Sequence, residues 1–236
     1  MILIKKHRKR TPLNTTAESD FIDILAQAAS NIGIILSDQE KALFQSYRRE
    51  LMLWNSKTNL VSIKTPFDLP IKHCIDSLLA APFIGNREGA LLDIGTGAGL
   101  PGIPLKIIFP SLAVTLLDSH RKKTSFLQDV IAKLHLEKIS VIRGRVELLA
   151  ADTTYAARFD TVISRAVFSL ADFLEIGSRF LNEQGSLIAM KGRGLQEELK
   201  DALAVAEKKG LRMSGCHEVR LPILDDLRII AVFTKR

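Results

Sequence analysis

The first third of the chain has its apolar residues at helical spacing. They recur every three or four positions over 17–32 and again over 68–81, which predicts a helix in each range. Between these ranges, Ser37 followed three residues later by Glu40 is a capping-box pattern, and it predicts the start of another helix. Residues 17–84 are therefore predicted to form a helical N-terminal cap.

From residue 85 onwards, short apolar runs alternate with longer amphipathic ones. Strands are predicted over 90–94, 112–118, 139–143, 160–164, 185–191, 211–220 and 227–234. Helices are predicted over 100–108, 120–135, 167–181 and 195–208. This alternation is typical of parallel βαβ units in a sheet that is covered on both faces. The predicted fold class is α/β: residues 85–236 form a doubly wound, Rossmann-like, mostly parallel sheet with an antiparallel edge strand.

The composition is typical of a globular protein, because 47% of the 236 residues are hydrophobic and 25% are charged. No apolar run approaches the ~20 residues of a membrane-spanning helix, and the N-terminus lacks the order of a secretory signal. We therefore expect a cytoplasmic protein that does not enter a membrane. Cys74 and Cys216 lie far apart and are expected to be small core residues, so no metal site is expected.

Basic residues are concentrated at the N-terminus. Five lysines and arginines lie in the first ten positions, and subtracting them from the net charge of +7 leaves +2 for the rest of the chain. Residues 1–16 are predicted to be a basic flexible tail. Two interpretations stay open: a solvated tail, or an arm that adds sequence-independent affinity for nucleic acid.

Four glycines fall within LLDIGTGAGLPG, residues 91–102, directly after the first predicted strand of the sheet. A dinucleotide-binding GxGxxG pattern needs its third glycine at position 100, where this chain has Leu100. No GKS or GKT follows, so a P-loop is excluded. The spacing Asp93-x-Gly95-x-Gly97-x-Gly99 instead resembles motif I of the class I S-adenosylmethionine-dependent methyltransferases.

The chemistry of that cofactor agrees with the loop. Its amino-acid portion must lie against the loop backbone, where side chains would collide. Asp93 is expected to anchor the cofactor's ammonium group, directly or through water. Asp118, which closes the second predicted strand 23 residues after Gly95, is expected to bind the ribose hydroxyls.

Seven stretches, one of which contains the glycine loop, together resemble one family. It is the family of bacterial small-subunit ribosomal RNA guanine-N7 methyltransferases, also called the glucose-inhibited division protein B family. The matching stretches are WNSKTNLVSI (54–63), KHCIDSLLAAPFI (72–84), LLDIGTGAGLPGIPLKIIFP (91–110), LLDS (116–119), RVELL (145–149), FDTVISRA (159–166) and MKG (190–192). GTGAGLPGIPL and ISRA are the most specific of them. The resemblance covers the chain from about residue 37 to its C-terminus.

The resemblance implies S-adenosylmethionine as cofactor and ribosomal RNA or the small ribosomal subunit as substrate. The enzyme is expected to be a monomer. It implies cofactor contacts at Gly95 and Leu100 in the loop, Val146 and Glu147 in RVELL, and Arg165 in ISRA. Arg165 is expected at the end of the fourth strand, where the methyl acceptor approaches.

The predicted reaction needs no catalytic base. Many enzymes that methylate exocyclic amines of bases have Asn/Asp-Pro-Pro-Tyr after the fourth strand, whereas this chain has Ser164-Arg165-Ala166. Guanine N7 carries a lone pair and no proton, so catalysis can rest on alignment. No catalytic residue is therefore assigned. His73 is interpreted as a buried helix histidine satisfied by a neighbour, in preference to a catalytic role.

Four basic residues are candidates for binding RNA, although they could equally face only solvent. They are Lys191 at the end of the fifth strand and Arg121, Lys122 and Lys123 after LLDS. The family usually has an acid and an arginine together before its last strand. Here the pair is Leu227-Arg228, so the acidic partner is shifted or absent.

Three alternatives share parts of this pattern. A small-molecule methyltransferase would need an aromatic lid, for which an aromatic fraction of 6% leaves little material. A non-enzymatic S-adenosylmethionine-binding regulator would keep the loop alone. A nicotinamide dehydrogenase ranks last because of Leu100.

Overall fold

The computed structural model describes residues 15–165 and 168–235. The basic cluster of the predicted tail lies outside the described residues. The division of the chain into tail, cap and sheet domain stays a prediction.

Two long helices open the described chain: α1 (Thr15–Asn31) and α2 (Asp38–Thr58). The predicted capping box of α2 is confirmed, because the Glu40 amide donates to Ser37 Oγ at 3.3 Å and the Ser37 amide donates to the Glu40 carboxylate at 2.7 Å. This reciprocal pair satisfies two amides that have no partner inside the helix.

The third helical segment differs from its prediction in type and length. It is a π-helix, Asp68–Ile75, which continues as the single α-helical turn α3 (Asp76–Leu78) and is followed by the 3₁₀ turn Ala81–Phe83. Apolar spacing over two turns reports which side is buried, and it does not separate an α-helix from a π-helix. The prediction of one helix over 68–81 was therefore right in place and wrong in type.

Seven strands form one sheet in the order β3-β2-β1-β4-β5-β7-β6. The strands are β1 (Ala90–Ile94), β2 (Ala113–Asp118), β3 (Ile139–Arg143), β4 (Phe159–Arg165), β5 (Leu181–Lys191), β6 (Leu211–Arg220) and β7 (Leu227–Lys235). Strands β1 to β5 pair in parallel, and β7 pairs antiparallel with both β5 and β6 at one edge. The predicted mostly parallel sheet with antiparallel pairing at its edge is confirmed.

Five helices accompany the strands: α4 (Gly102–Ile108), α5 (Arg121–Lys133), α6 (Val146–Ala151), α7 (Leu170–Gly177) and α8 (Leu195–Lys208). The six-residue α6 was not predicted, because it is too short for a periodic pattern. The helix predicted over 167–181 is too long at its end. Leu181 already pairs with Phe159 of β4, so the chain enters β5 where apolar spacing alone would extend the helix.

The sheet is covered on both faces, as its nearly continuous apolar strands predict. Leu91 and Leu92 point to opposite faces and are 0% and 1% exposed. Leu91 belongs to a core shared with the cap helices, α4 and α5, and Leu92 belongs to a second core beneath α7 and α8. The cap therefore shares a core with one face of the sheet.

Polar contacts also join α2 to helix α5 and to the loop that follows β1. Trp54 Nε1 donates to Asp129 Oδ2 of α5 at 2.9 Å, and Lys133 Nζ lies 2.9 Å from Asp129 and 2.6 Å from Glu50 of α2. Tyr47, fully buried on α2, donates from its hydroxyl to the Ala98 carbonyl oxygen at 2.7 Å. The cap is thereby hydrogen-bonded to the loop that follows β1.

The two cysteines have different environments. Cys74 is buried in the π-helix, and burial raises the pKa of its thiol to about 12. Cys216 is exposed, so its prediction as a core residue is wrong; it lies on β6, an edge strand with one side open to solvent. Among the described residues, no helix is long and apolar enough to cross a membrane, and no group of three His, Cys, Asp or Glu side chains is placed to hold a metal ion.

Candidate functional site

The glycine loop, residues 95–102, follows β1 at the carboxyl edge of the parallel strands. Gly95, Gly97 and Gly99 have φ angles of +73°, +59° and +86°, in the left-handed region that side chains with a Cβ rarely adopt. The Gly95 amide donates to the Leu117 carbonyl oxygen of β2 at 2.8 Å. The loop is therefore held against the neighbouring strand by its own backbone.

The glycines of this loop serve two different purposes. A Cβ added at Gly99 would lie 2.3 Å from Ile103 Cδ1, and one at Gly102 would lie 2.4 Å from Leu116 Cδ2, so packing inside the protein excludes side chains there. A Cβ at Gly97 would meet only the Gly95 carbonyl oxygen, at 4.0 Å. Packing therefore explains the absence of a side chain at Gly99, whereas Gly97 leaves bare backbone beside open space.

Asp93 lies under this loop and is fully buried. Its Oδ2 accepts hydrogen bonds from Thr96 Oγ1 at 2.6 Å and from the Gly102 amide at 2.8 Å. Its Oδ1 has no hydrogen-bond partner among the residues that the structure describes. Burial raises the pKa of Asp93 to about 6, against the lowering effect of the bonds from Thr96 and Gly102. Oδ2 of Asp93 thus stabilises the loop through two hydrogen bonds, whereas Oδ1 makes no hydrogen bond to the loop.

Asp118 ends β2 and reaches the loop from the other side. Its Oδ2 accepts from the Gly97 amide at 3.0 Å, and its Oδ1 accepts from the His120 amide at 2.9 Å. The His120 ring Nδ1 lies 3.1 Å from Oδ1, and Lys123 Nζ lies 3.7 Å from Oδ2. Asp118 is therefore a buried acid that orients the glycine loop and faces two basic side chains.

A cleft of about 320 Å³ lies at the ends of β1, β2 and β3. It is lined by Ile94, Gly95, Leu117, Asp118, Ser119, His120, Lys123, Gly144, Arg145, Val146, Glu147 and Phe168. Four of the predicted cofactor-binding residues, Gly95, Asp118, Val146 and Glu147, meet in this lining. Sequence analysis missed His120. It lies two residues after Asp118, the acid that ends β2, and that position was the available signal.

Other predicted residues lie around the cleft rather than in its lining. Leu100 is 3% exposed and its side chain belongs to the core, so only its backbone is available to a ligand. Asp93, Gly97 and Gly99 lie in or under the loop behind Gly95.

Arg165 ends β4 and contacts the π-helix and α3 rather than the cleft. Its Nη1 donates to Asp76 Oδ2 at 3.1 Å and to the Lys72 carbonyl oxygen at 3.2 Å. The second oxygen of Asp76, Oδ1, accepts from Arg228 Nε at 2.8 Å. The acidic partner of Arg228 is thus Asp76, from the cap. Sequence analysis missed it, although an acid three residues after His73 on an apolar helix was a signal.

His73 lies next to this group of charges. Its Nε2 lies 3.1 Å from the Ser62 carbonyl oxygen, to which it donates when the proton is on that nitrogen. Burial lowers the pKa of the His73 imidazole, ahead of the opposing effect of the Ser62 bond. Nε2 therefore has the neighbouring partner that was expected, whereas Nδ1 is buried without a hydrogen-bond partner among the described residues. The interpretation of His73 as a helix histidine rather than a catalytic one stays a prediction.

The four residues predicted to face RNA have different environments. Arg121 and Lys122 are exposed on the first turn of α5, while Lys123 is half-buried beside Asp118. Lys191 is neither free nor simply solvated: its Nζ lies 2.9 Å from Glu198 Oε2 and also donates to the Phe168 carbonyl oxygen. The tertiary fold therefore gives Lys191 partners that the sequence did not reveal, and its role in RNA binding stays a prediction.

These features fit the amino-acid and nucleoside parts of S-adenosylmethionine. The loop offers open backbone at Gly97, and a buried carboxylate oxygen of Asp93 lacks a partner among the described residues. A second acid, Asp118, ends the next strand, and Val146 adds an apolar wall to the cleft. Such a set of donors and acceptors suits a cationic amino acid joined to a ribose and a base.

Comparison with known proteins decides the family. Residues 40–224 match the family described as rRNA small subunit methyltransferase G. This chain belongs to that family. It is 38% identical over 236 residues to the ribosomal RNA small subunit methyltransferase G of Syntrophus aciditrophicus, covering all of this chain and 98% of that protein. It is 40% identical to the protein of the same name from Acetivibrio thermocellus, covering 90% of this chain and 87% of that one.

Solved structures with much lower identity share the fold. A methyltransferase from Aquifex aeolicus aligns with a TM-score of 0.52 at 16% identity, covering 79% of this chain and 97% of that one. Fibrillarin from Aeropyrum pernix, solved with bound S-adenosyl-L-methionine, aligns with a TM-score of 0.52, also at 16% identity, covering 66% and 74%. The predicted class I methyltransferase fold is confirmed.

Family membership confirms the predicted resemblance and the enzyme class. The chain is an S-adenosylmethionine-dependent methyltransferase of small-subunit ribosomal RNA. The alternatives of a small-molecule methyltransferase and of a non-enzymatic regulator are not supported.

Proposed function

We propose that this enzyme transfers a methyl group from S-adenosylmethionine to N7 of a guanine in small-subunit ribosomal RNA. The observation that carries the proposal is the convergence, on one cleft, of residues at or just after the ends of three different strands. Gly95 follows β1, Asp118 ends β2 and Val146 follows β3, and all three line the same cleft of about 320 Å³. In a parallel sheet, this edge is where ligands bind.

The proposed roles follow from the local geometry. The unpartnered Oδ1 of Asp93 is assigned to the cofactor's ammonium group, directly or through water. Gly97 leaves space for the amino-acid portion against its backbone. Asp118 is assigned to the ribose hydroxyls, and Val146 and Glu147 to the rim around the adenine.

The proposed chemistry needs alignment rather than a base. When bound, S-adenosylmethionine supplies a methyl group on a positively charged sulfur. Guanine N7 has a free lone pair and no proton, so no side chain of this protein has to remove one. Arg165, at the end of β4, is assigned to the place where donor and acceptor meet. Holding two reactants in line is itself a large source of rate enhancement.

The proposal is tested with tritiated S-adenosylmethionine and small ribosomal subunits or free small-subunit RNA that lack the modification. We expect the label in 7-methylguanosine after digestion to nucleosides, and none with a Gly97→Val variant. Label in an exocyclic-amine product, in 5-methylcytidine or in a small metabolite would contradict the proposal.

Arg121 and Lys122, exposed beside the cleft, are assigned to RNA phosphates. We further propose that the enzyme acts as a monomer, and that it acts in the cytoplasm, where its ribosomal substrate is. Light scattering at micromolar concentration checks the monomer, and a stable dimer would contradict it.

A further inference from the structure

We propose that Asp76 is a positioning residue for methyl transfer, which acts by holding Arg165, and that Arg228 holds the Asp76 carboxylate for this task. The inference rests on the role assigned to Arg165 in the proposed function. It adds two residues, one from the cap and one from the last strand, to a site otherwise built from β1 to β4.

The geometry gives each oxygen of Asp76 one guanidinium partner. Asp76 begins α3, Arg165 ends β4, and Arg228 lies near the start of β7. Arg165 Nη1 lies 3.1 Å from Oδ2, and Arg228 Nε lies 2.8 Å from Oδ1. The side chains of Asp76, Arg165 and Arg228 are 7%, 20% and 25% exposed. Three distant segments thus meet in one charged group that is largely removed from water.

The balance of charge makes the carboxylate the critical member. One negative charge holds two positive ones, and bonds between ionised partners are stronger than neutral ones. Without the carboxylate, two shielded guanidinium groups would face each other with no counter-ion between them, which strongly disfavours the arrangement. Without Arg228, by contrast, the pair of Asp76 and Arg165 remains neutral and intact.

Arg165 keeps hydrogen-bonding capacity for a ligand. Its two bonds, to Asp76 and to the Lys72 carbonyl oxygen, both start from Nη1. A guanidinium has five N–H groups, so Nε and Nη2 stay available as far as the described residues are concerned. Burial raises the pKa of Asp93, and the charge of Arg165 is among the smaller effects that oppose this rise, so Arg165 acts electrostatically on the carboxylate under the glycine loop. The bridge therefore fixes one side of Arg165 and leaves the other side for cofactor or acceptor.

A purely structural role would have a different signature. If the bridge only joined the π-helix to the sheet, its loss would lower the melting temperature and leave the rate of the folded protein unchanged. If it positions Arg165, its loss should slow methyl transfer only as long as Arg165 is present. A double-mutant cycle separates these two cases.

The test compares Asp76→Asn, Arg165→Ala and the double variant in single-turnover methylation of unmodified small subunits, with cofactor and substrate saturating. We expect Asp76→Asn to slow the reaction about 10- to 100-fold, the loss expected from a misplaced reacting group. Its Kd for S-adenosylmethionine and its KM for the subunit should stay close to the parental values. In the Arg165→Ala background, Asp76→Asn should cause no further loss.

Asp160→Asn is the matched control. Asp160 is a carboxylate at the other end of β4, where its Oδ2 accepts from the Ala90 amide at 2.7 Å. This variant should lower the melting temperature and leave the single-turnover rate unchanged. Arg228→Ala should slow the reaction less than Asp76→Asn does, and it takes the place of that variant in the cycle if Asp76→Asn does not fold.

The outcomes separate the inference from the proposed function. If Asp76→Asn reacts at the parental rate, or slows the Arg165→Ala variant as much as the parent, the positioning role is overturned while Arg165 keeps its assignment. If Arg165→Ala itself reacts at the parental rate, the assignment of Arg165 in the proposed function fails.

Discussion

At the ends of β1 and β2, the groups around the cleft are backbone amides and two buried acids. At the end of β4 and the start of β7, by contrast, charged side chains pair with one another. Asp118 accepts from the Gly97 amide, only 21 residues away in the chain. Asp76 and Arg228, which meet at 2.8 Å, are 152 residues apart. The residues at β1 and β2 thus form a local motif, whereas the charged residues at β4 and β7 are brought together from distant parts of the chain.

This difference determines what each half tolerates. The glycine loop depends on backbone shape, so a single Cβ in the wrong conformation damages it. The charged group depends on partners, so its effects are expected to be coupled between residues. Changes to the backbone of the loop are therefore expected to have larger effects than the loss of a single charged partner.

The largest effect is expected for Gly97→Val. The substitution puts a β-branched residue at a φ of +59° and fills the open space beside Gly95. We expect S-adenosylmethionine binding to be lost in calorimetry, while the protein stays folded. Gly33→Val is the control. Gly33 has a φ of +79° and nothing within 4 Å of an added Cβ, but it lies two residues after the end of α1 and does not line the cleft. Unchanged binding by Gly97→Val would remove the loop from the site.

The next effect is a pH dependence that belongs to Asp93. Burial raises its pKa from 3.8 to about 6, so the carboxylate becomes protonated as the pH falls through 6. We expect the affinity for S-adenosylmethionine to fall by about tenfold per pH unit below that value, because the neutral acid no longer attracts the ammonium group. Calorimetry between pH 5 and pH 8 measures this change, which corresponds to ~1.4 kcal/mol of binding free energy per pH unit.

The same pKa shift makes the stability of the cofactor-free protein depend on pH in the opposite direction to cofactor affinity. A carboxyl whose pKa is higher in the folded state makes folding less favourable as the pH rises from its unfolded-state pKa, 3.8, to its folded-state pKa, about 6, and the full penalty remains above that. The contribution of Asp93 to the free energy of unfolding should therefore rise as the pH falls from about 6 towards 4. Asp93→Asn should bind the cofactor weakly with no pH dependence in this range. A slope that survives in Asp93→Asn would assign it to another group.

A smaller effect is expected where the cap contacts the loop. Tyr47→Phe removes the bond to the Ala98 carbonyl oxygen and leaves that buried oxygen without its donor. We expect a loss of about 1–3 kcal/mol in the free energy of unfolding, measured with denaturant, together with weaker cofactor binding. Tyr155→Phe is the matched control, since the Tyr155 hydroxyl has no hydrogen-bond partner among the described residues. Equal effects at both tyrosines would contradict a role for the cap in shaping the loop.

The smallest effect concerns the exposed cations. Arg121→Ala and Lys122→Ala should each lower the slope of log affinity for RNA against log salt by about 0.7–0.9 if each side chain binds one phosphate. Lys191→Ala should change that slope less, because its ammonium is engaged by Glu198. Filter binding at several salt concentrations provides the measurement. A larger change at Lys191 would restore it as the main RNA contact.

The sequence was sufficient for features that depend on neighbours in the chain. The capping box of Ser37 and Glu40, the alternation of strands and helices, and the acid that closes β2 were predicted correctly. Each of these is a local pattern whose physical cause lies within a few residues. The type and the ends of some elements were predicted less accurately. The helix over 68–81 is a π-helix for most of its length, and β5 begins at Leu181, where strand pairing overrides helical periodicity.

The charged group at Asp76 and the partners of Lys191 were decided only by tertiary structure. The position of Asp76 on an apolar helix signalled a buried acid, but nothing in the local sequence identified Arg165 and Arg228 as its partners. A carboxylate that is nearly removed from water must be paired, and its partners come from whichever strands the fold brings to it. By itself, the sequence determined the glycine loop without side chains and the acid at the end of β2, because both are local patterns. The pairing of Asp76 with Arg165 and Arg228 was decided by the tertiary structure, because only folding brings these distant residues together.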